Sequence, residues 1–243
     1  MVHADDIALL WSAVFFGGLV SGFSGFAFSA IAGAILIHTY PPMTAIPLLM
    51  VCGLVNQVIS VLYLRASIDW RGSMPFALGG GVGLPVGVFF LAHASASHFR
   101  SGFGLFLICY ACFMMFRPSV SAFRSLSGRL YSIAVGIGGG VVGGLTAMPG
   151  AIPTVWFDLQ GRTRQEKRGL IQPFIIAMQL LSLPGFFLVN AKPFDGTLIA
   201  MAMPALAVGT LLGASLYGRV NDAVFRYAVL FLLLLSGVVL IWE

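Results

Sequence analysis

Two stretches of the 243-residue chain set hydroxyl residues among glycines: Ser21-Gly-Phe-Ser-Gly25 and Gly143-Gly-Leu-Thr-Ala-Met-Pro-Gly150. Residues of this kind suit anion binding. Glycine lets an anion approach backbone N–H groups closely and supplies positive φ where a turn needs it. If each stretch breaks a helix, a new half-helix starts near Phe26 and another near Gly150, each presenting free N–H groups and the positive end of its dipole. Ser21, Ser24 and Thr146 add hydroxyl donors, and Gln57 and Gln179 add amide donors. The candidate substrate-binding set is therefore Ser21, Gly22, Ser24, Gly25, Gln57, Gly143, Gly144, Thr146, Gly150 and Gln179. Arg162, Arg164, Lys167 and Arg168 follow the second stretch and would concentrate anions at a cytoplasmic mouth.

Each feature also has a plainer reading. Gly18/Gly22, Gly83/Gly87 and Gly209/Gly213 have the small-xxx-small spacing of close helix packing, the last two pairs either within the chain or across a homodimer. The two glutamines serve equally well as interhelical glue, and the basic cluster as an orientation signal. His38, His93 and His98 fall near segment ends and need no function, while Asp158 and Glu166 have arginines beside them to pair with.

The elements that position these residues belong to a membrane. Hydrophobic types make up 59% of the chain and charged types 9%, against about 25% charged in a soluble domain. A water-soluble globule is excluded. Uncharged blocks such as 102–116 and 227–242 read as bilayer-buried helices. The net charge of +5 sits at block ends, which makes it a topology signal and not a nucleic-acid one. Cys52, Cys109 and Cys112 lie in apolar blocks without His or carboxylate neighbours, so neither a metal site nor a cofactor is expected. The acidic start lacks a basic n-region, and no cleaved signal peptide is expected.

Eight apolar segments can be read: 7–38, 42–64, 72–93, 98–116, 130–160, 169–190, 195–218 and 223–242. The first and fifth are the long ones, broken near the middle by the two glycine stretches. An offset of 122 lays Gly17, Gly18, Val20 and Gly22 on Gly139, Gly140, Val142 and Gly144, Ser24 on Thr146, Gln57 on Gln179 and Ser60 on Ser182. An offset of 126 then lays Gly83, Gly87, Phe99 and Arg100 on Gly209, Gly213, Phe225 and Arg226. This pattern predicts a single membrane domain made of two repeats, 7–116 and 130–242.

Charge decides how the repeats are related. With eight full crossings the Lys and Arg residues divide 7 to 6, which is no bias. With segments one and five as re-entrant hairpins they divide 11 to 2, only Arg100 and Lys192 falling on the minor side. Lys and Arg accumulate in the cytoplasm, so the second arrangement is favoured. The expected fold is an all-α polytopic membrane protein of two inverted repeats, each a re-entrant broken-helix hairpin plus three transmembrane helices. Both termini are then periplasmic. Inverted repeats with broken helices are a transporter arrangement, and neutral donors with helix dipoles give the weak, reversible anion binding that transport requires.

The break Gly17-Gly-Leu-Val-Ser-Gly-Phe-Ser-Gly25, its degenerate copy over 139–150, and Gly209-Thr-Leu-Leu-Gly213 followed by Phe225-Arg226 resemble the TauE/SafE family of sulfite and organosulfonate exporters. The likeness extends over nearly the whole chain. It implies export of a small inorganic or organic sulfur anion, such as sulfite or sulfoacetate, across a bacterial inner membrane. The family's break glycines carry over to Gly22, Gly25, Gly143, Gly144 and Gly150. Ala147 stands where a further glycine would match Gly25, so the two half-sites are not equivalent.

Two other readings remain open: an anion channel of the same architecture, and an intramembrane serine hydrolase. Gly22-Phe-Ser-Gly25 matches the Gly-x-Ser-Gly of rhomboid proteases. Against the hydrolase, the second half repeats the element with Thr146, and no His lies mid-segment to act as base. No enzymatic activity is expected.

Overall fold

The computed structural model describes residues 4–64, 68–116, 128–189, 195–217, 219 and 222–242, with backbone only for residues 4, 5, 64 and 222–226. Arg65, Arg117, Arg124 and Lys192, counted in the charge balance, lie outside the described residues, as do the side chains of Phe225 and Arg226. The described residues form ten helices and no strand: α1 (Ala4–Ser24), α2 (Phe28–Thr39), α3 (Pro42–Leu64), α4 (Trp70–His93), α5 (Ala96–Phe116), α6 (Arg129–Thr146), α7 (Ala151–Leu159), α8 (Arg164–Val189), α9 (Gly196–Leu216) and α10 (Asp222–Trp242). Six of them are long and apolar enough to cross a membrane. Large apolar side chains such as Leu78, Val82, Phe89, Leu188 and Phe231 are exposed on the outside, as suits contact with lipid.

Local chemistry sets the helix ends. Asp69 caps α4 by accepting from Gly72 N (2.8 Å), and Asp195 caps α9 by accepting from Thr197 N (2.9 Å) and Leu198 N (3.3 Å). These two caps are 126 residues apart. The ends of α1 and α6, at Ser24 and Thr146, are 122 apart, as are the starts of α3 and α8 at Pro42 and Arg164. Pro42 opens α3, where its missing N–H removes no bond.

The two long segments fold as hairpins, but not with the expected equal arms. α1 has 21 residues and α2 only 12; α6 has 18 and α7 only 9. Of these four, α1 alone is both long and apolar enough to count as a membrane span. The breaks fall within the expected stretches 21–25 and 143–150, but at the C-terminal end of the first and beyond the paired glycines of the second: Gly17, Gly18, Gly22, Gly139, Gly140, Gly143 and Gly144 stay helical. The chain turns where backbone dihedrals force it, at Gly25 (φ +93°) and at Ala147 (φ +58°). Beyond each turn the short arm folds back along the long one: a Cβ at Gly17 would meet Ala32 Cβ at 2.9 Å, and one at Gly139 would meet Pro149 O at 2.9 Å.

Those glycines serve helix packing. α4 and α6 run parallel, with Gly79, Gly83 and Gly87 seated on the carbonyls of Ile133, Ile137 and Val141, and Gly136, Gly140 and Gly144 on those of Phe76, Gly80 and Leu84. α1 and α9 pair in the same way: Gly18 and Gly22 meet Leu206 and Thr210, while Gly209 and Gly213 meet Phe15 and Leu19. The Gly83/Gly87 and Gly209/Gly213 faces thus pack inside the chain. α5 and α10 cross antiparallel, Gly104 meeting Gly237 and Ile241 while Gly237 meets Gly104 and Ile108.

A methyl group at Gly83 would collide with the Ile137 carbonyl, whereas the nearest atom to one at Gly81 is Leu181 Cδ1 at 3.9 Å. Gly83→Ala and Gly213→Ala should each destabilise the fold by about 1–3 kcal/mol. Gly81→Ala should stay neutral or gain up to about 1 kcal/mol. Thermal unfolding of the purified variants checks this, and equal melting of all three would contradict the packing described.

Candidate functional site

The first break opens into a cavity of about 370 Å³, within the size range of small-molecule sites. Phe23–Ala27 of the turn line one side. Thr154 and Asp158 of α7 and Arg164, Lys167, Arg168 and Ile171 of α8 line another. Tyr110 and Met114 of α5 and Val229, Leu230 and Leu233 of α10 complete the wall.

Two helix ends meet in this wall, and they are treated differently. The last carbonyls of α1 have no intrahelical partner, and α8 supplies one. Arg168 Nη2 donates to Gly22 O (2.7 Å) and its Nη1 to Phe23 O (3.5 Å), while Arg164 Nη2 donates to Phe23 O (2.7 Å). Aromatic faces flank both guanidiniums: Phe23 lies 4.5 Å from Arg164, and Tyr217 lies 4.3 Å from Arg164 and 4.5 Å from Arg168. The N-terminus of α2 receives no side-chain cap; its N-cap is Ala27. The nearest hydroxyl is Ser24 Oγ, which accepts from Phe26 N at 3.5 Å.

Charge in the wall is positive. Arg164, Lys167 and Arg168 contribute +3 and Asp158, ion-paired with Lys167, contributes −1, a balance of +2. Arg168 is only 6% exposed, and its Nε has no hydrogen-bond partner. Gly25 makes this fit possible, since a Cβ there would lie 3.1 Å from Arg168 Nε in a backbone region that side chains rarely adopt. The arrangement offers an oxyanion guanidinium and ammonium charge, a hydroxyl and, behind Ala27, the positive end of the α2 dipole. No histidine is among the residues that line it.

Of the residues anticipated from the sequence, Ser24, Gly25, Arg164, Lys167 and Arg168 come together here. Arg162 does not: its Nε donates to Gln160 Oε1 (2.9 Å), and it lines a separate rim pocket with Asp69, Thr163 and Glu166. Ser21 is buried and accepts from Asn56 Nδ2 (2.7 Å), and Asn56 Oδ1 accepts from Thr210 Oγ1 (2.9 Å), a polar bridge joining α1, α3 and α9. Gln57 Nε2 donates to Gly25 O (3.0 Å), supporting the turn from behind. Gly22 packs on α9, Gly143 on Pro149, Gly144 on α4, and Gly150 on Ile175 as the N-cap of α7. Gln179 is buried against Gly53.

Thr146 lies elsewhere. Its hydroxyl donates to Val142 O (2.7 Å), and it lines a second cavity of about 380 Å³ with His93, His98 and Phe99. The two breaks therefore open into different cavities. Sequence reasoning treated Arg168 as part of a rim cluster and missed its burial, and it missed Asn56, Thr154 and Thr210. For Asn56 and Thr210 the available signal was a polar residue inside an apolar helix.

Six helices long and apolar enough to cross a membrane, with a cationic cavity at the turn between α1 and α2, describe a multi-span membrane protein. The chain belongs to the sulfite exporter TauE/SafE family, whose family model matches residues 10–240. No curated protein and no solved structure matches it. The family consists of transporters, and the chain is accordingly not an enzyme.

Gly25→Ala should unseat Arg168 and cost about 1–2 kcal/mol from the left-handed backbone alone. The matching change Ala147→Gly relieves that strain and should leave stability within about 1 kcal/mol of the parent. Paired thermal melts check the asymmetry, and equal losses in both variants would contradict it.

Proposed function

We propose that the chain exports small sulfur-containing anions, sulfite or organosulfonates such as sulfoacetate, from the cytoplasm across a bacterial inner membrane, and that the anion is captured in the cavity at the first break. The observation that carries this is the junction of Arg164, Lys167 and Arg168 with Ser24 and the uncapped start of α2. Guanidinium groups match oxyanions in geometry as well as charge. The dipole of α2 adds attraction without a fixed charge.

The halves 7–116 and 130–242 are read as inverted repeats, each hairpin entering and leaving on one face with its tip beyond mid-depth. Several features support this. Helix ends recur at offsets of 122 and 126. The parallel pair α1–α9 has its counterpart in α6–α4, and the corresponding helices α5 and α10 run antiparallel. By the distribution of Lys and Arg, the first cavity faces the cytoplasm, the second faces outward, and both termini are periplasmic. Two cavities lined by different residues favour alternating access over a continuous channel.

Purified protein in liposomes should carry sulfite or sulfoacetate down a gradient, measured by a sulfite-sensitive dye or radiolabel. Arg168→Gln should raise KM about tenfold or more. If the wild-type protein carries neither anion, the substrate class is wrong; if Arg168→Gln keeps the parent KM, the anion binds elsewhere.

A further inference from the structure

α8 carries a polar stripe that the first cavity does not use up. Arg164, Arg168, Gln172, Gln179 and Ser182 recur at spacings of four, four, seven and three residues, which keeps them on one helix face. Only the first two line the cavity. Gln172, one turn deeper, is 0% exposed, and neither its Nε2 nor its Oε1 has a hydrogen-bond partner. A fully buried amide with both atoms unpaired is costly, and native structures keep such groups for a reason.

The facing helix has a matching gap. Gln57 of α3 bonds Gly25 beside Arg168, while Gly53 of α3 packs on Gln179, so α3 and α8 run antiparallel. Two turns forward from Gly53 is Ser60; two turns back from Gln179 is Gln172. Ser60 and Gln172 therefore reach the same depth on facing helices. Ser60 Oγ, 0% exposed, is also unpartnered, as is Oε1 of Gln57 one turn away. Arg168 Nε, likewise unpartnered, borders this cluster from the cavity side.

From this cluster, and resting on the function proposed above, we infer that Gln172 and Ser60 form a second anion station that receives the substrate as it leaves the Arg168 cavity. The station has amide N–H and hydroxyl donors and no fixed charge, so it would hold a small oxyanion briefly and release it onward. It takes shape as α3 and α8 part during transport: Gln172 Nε2, Ser60 Oγ and Arg168 Nε supply unpaired donors for the anion, while Gln57 Oε1 and Gln172 Oε1 are acceptors that must turn away from it.

The test uses the full-length protein with sulfite as probe. Gln172→Leu and Gln172→Met keep the side chain's size while removing the amide. Both should cut sulfite flux in liposomes about tenfold or more. Sulfite affinity measured by titration in detergent should stay near the parent value, and the melting temperature should hold or rise. Ser60→Ala should lower flux in the same direction. Flux at the parent rate in either Gln172 variant overturns the second station. So does a fall in melting temperature that parallels the loss of flux, which marks a structural role, or a parallel loss of affinity, which puts Gln172 in the first cavity. A wild-type protein that neither binds nor moves sulfite sinks the proposed function instead, so the two failures are distinguishable.

Discussion

A helix that stops inside a bilayer leaves carbonyls at one end and N–H groups at the other, with no water to satisfy either. In the proposed inverted-repeat arrangement both breaks face that requirement, and the structure meets it differently at each. At the first, α1 ends on carbonyls that Arg164 and Arg168 satisfy. At the second, the same need is met locally: Ala147 turns left-handed and its N–H bonds Gly143 O (2.8 Å), with Thr146 donating to Val142 O. The offset of 122 puts Pro42 and Ile46 where the first break has Arg164 and Arg168. One end of the molecule therefore carries fixed positive charge at its break and the other does not.

The glycine contacts decide which parts can move together. Seating a backbone carbonyl on a glycine of the neighbouring helix leaves no side chains to slide over, so α1 with α9 and α4 with α6 behave as bonded pairs. Each pair takes one member from the first half of the chain and one from the second. A rocking motion of the kind proposed for inverted repeats would carry each hairpin with a helix of the opposite half. The softer contact lies between α3 and α8, where Gln57, Ser60, Gln172 and Gln179 all hold at least one unpaired polar atom.

Much of the fold was legible in the sequence, because lipid imposes length and polarity on every element. The charge-free blocks located the helices, and family membership and an all-helical membrane fold were both within reach of pattern. So were the two turns, within 21–25 and 143–150. Which residue in each stretch turns was not: packing residues and turning ones look alike in a sequence, and only φ at Gly25 and Ala147 separates them. For the site, the sequence pointed to Ser24, Gly25, Arg164, Lys167 and Arg168, which meet in one cavity, and to Arg162, which lies apart from it. It did not reveal that Ser21 bonds Asn56 or that Arg168 is buried, since those pairings join residues 35 and 146 positions apart. Gln172 left no pattern either: the offset of 122 matches it to Met50, so no repeated polar residue drew attention to it.

A buried cation in an anion carrier poses a difficulty, because a free guanidinium in a dry site would hold its ligand too firmly to release it. Here the guanidiniums are already engaged. Arg164 and Arg168 each donate to an α1 carbonyl. Under the proposed function, an arriving oxyanion would meet charge whose strongest hydrogen bonds are taken, and would have to share Arg168 through its remaining donors or displace the carbonyls. Sharing weakens the bond to the anion, and displacement leaves the end of α1 unsatisfied. Either route returns part of the binding energy to the protein. On the proposed function, the same two arginines that satisfy the end of α1 would keep the site from becoming a trap and would tie occupancy of the cavity to the position of the hairpin tip.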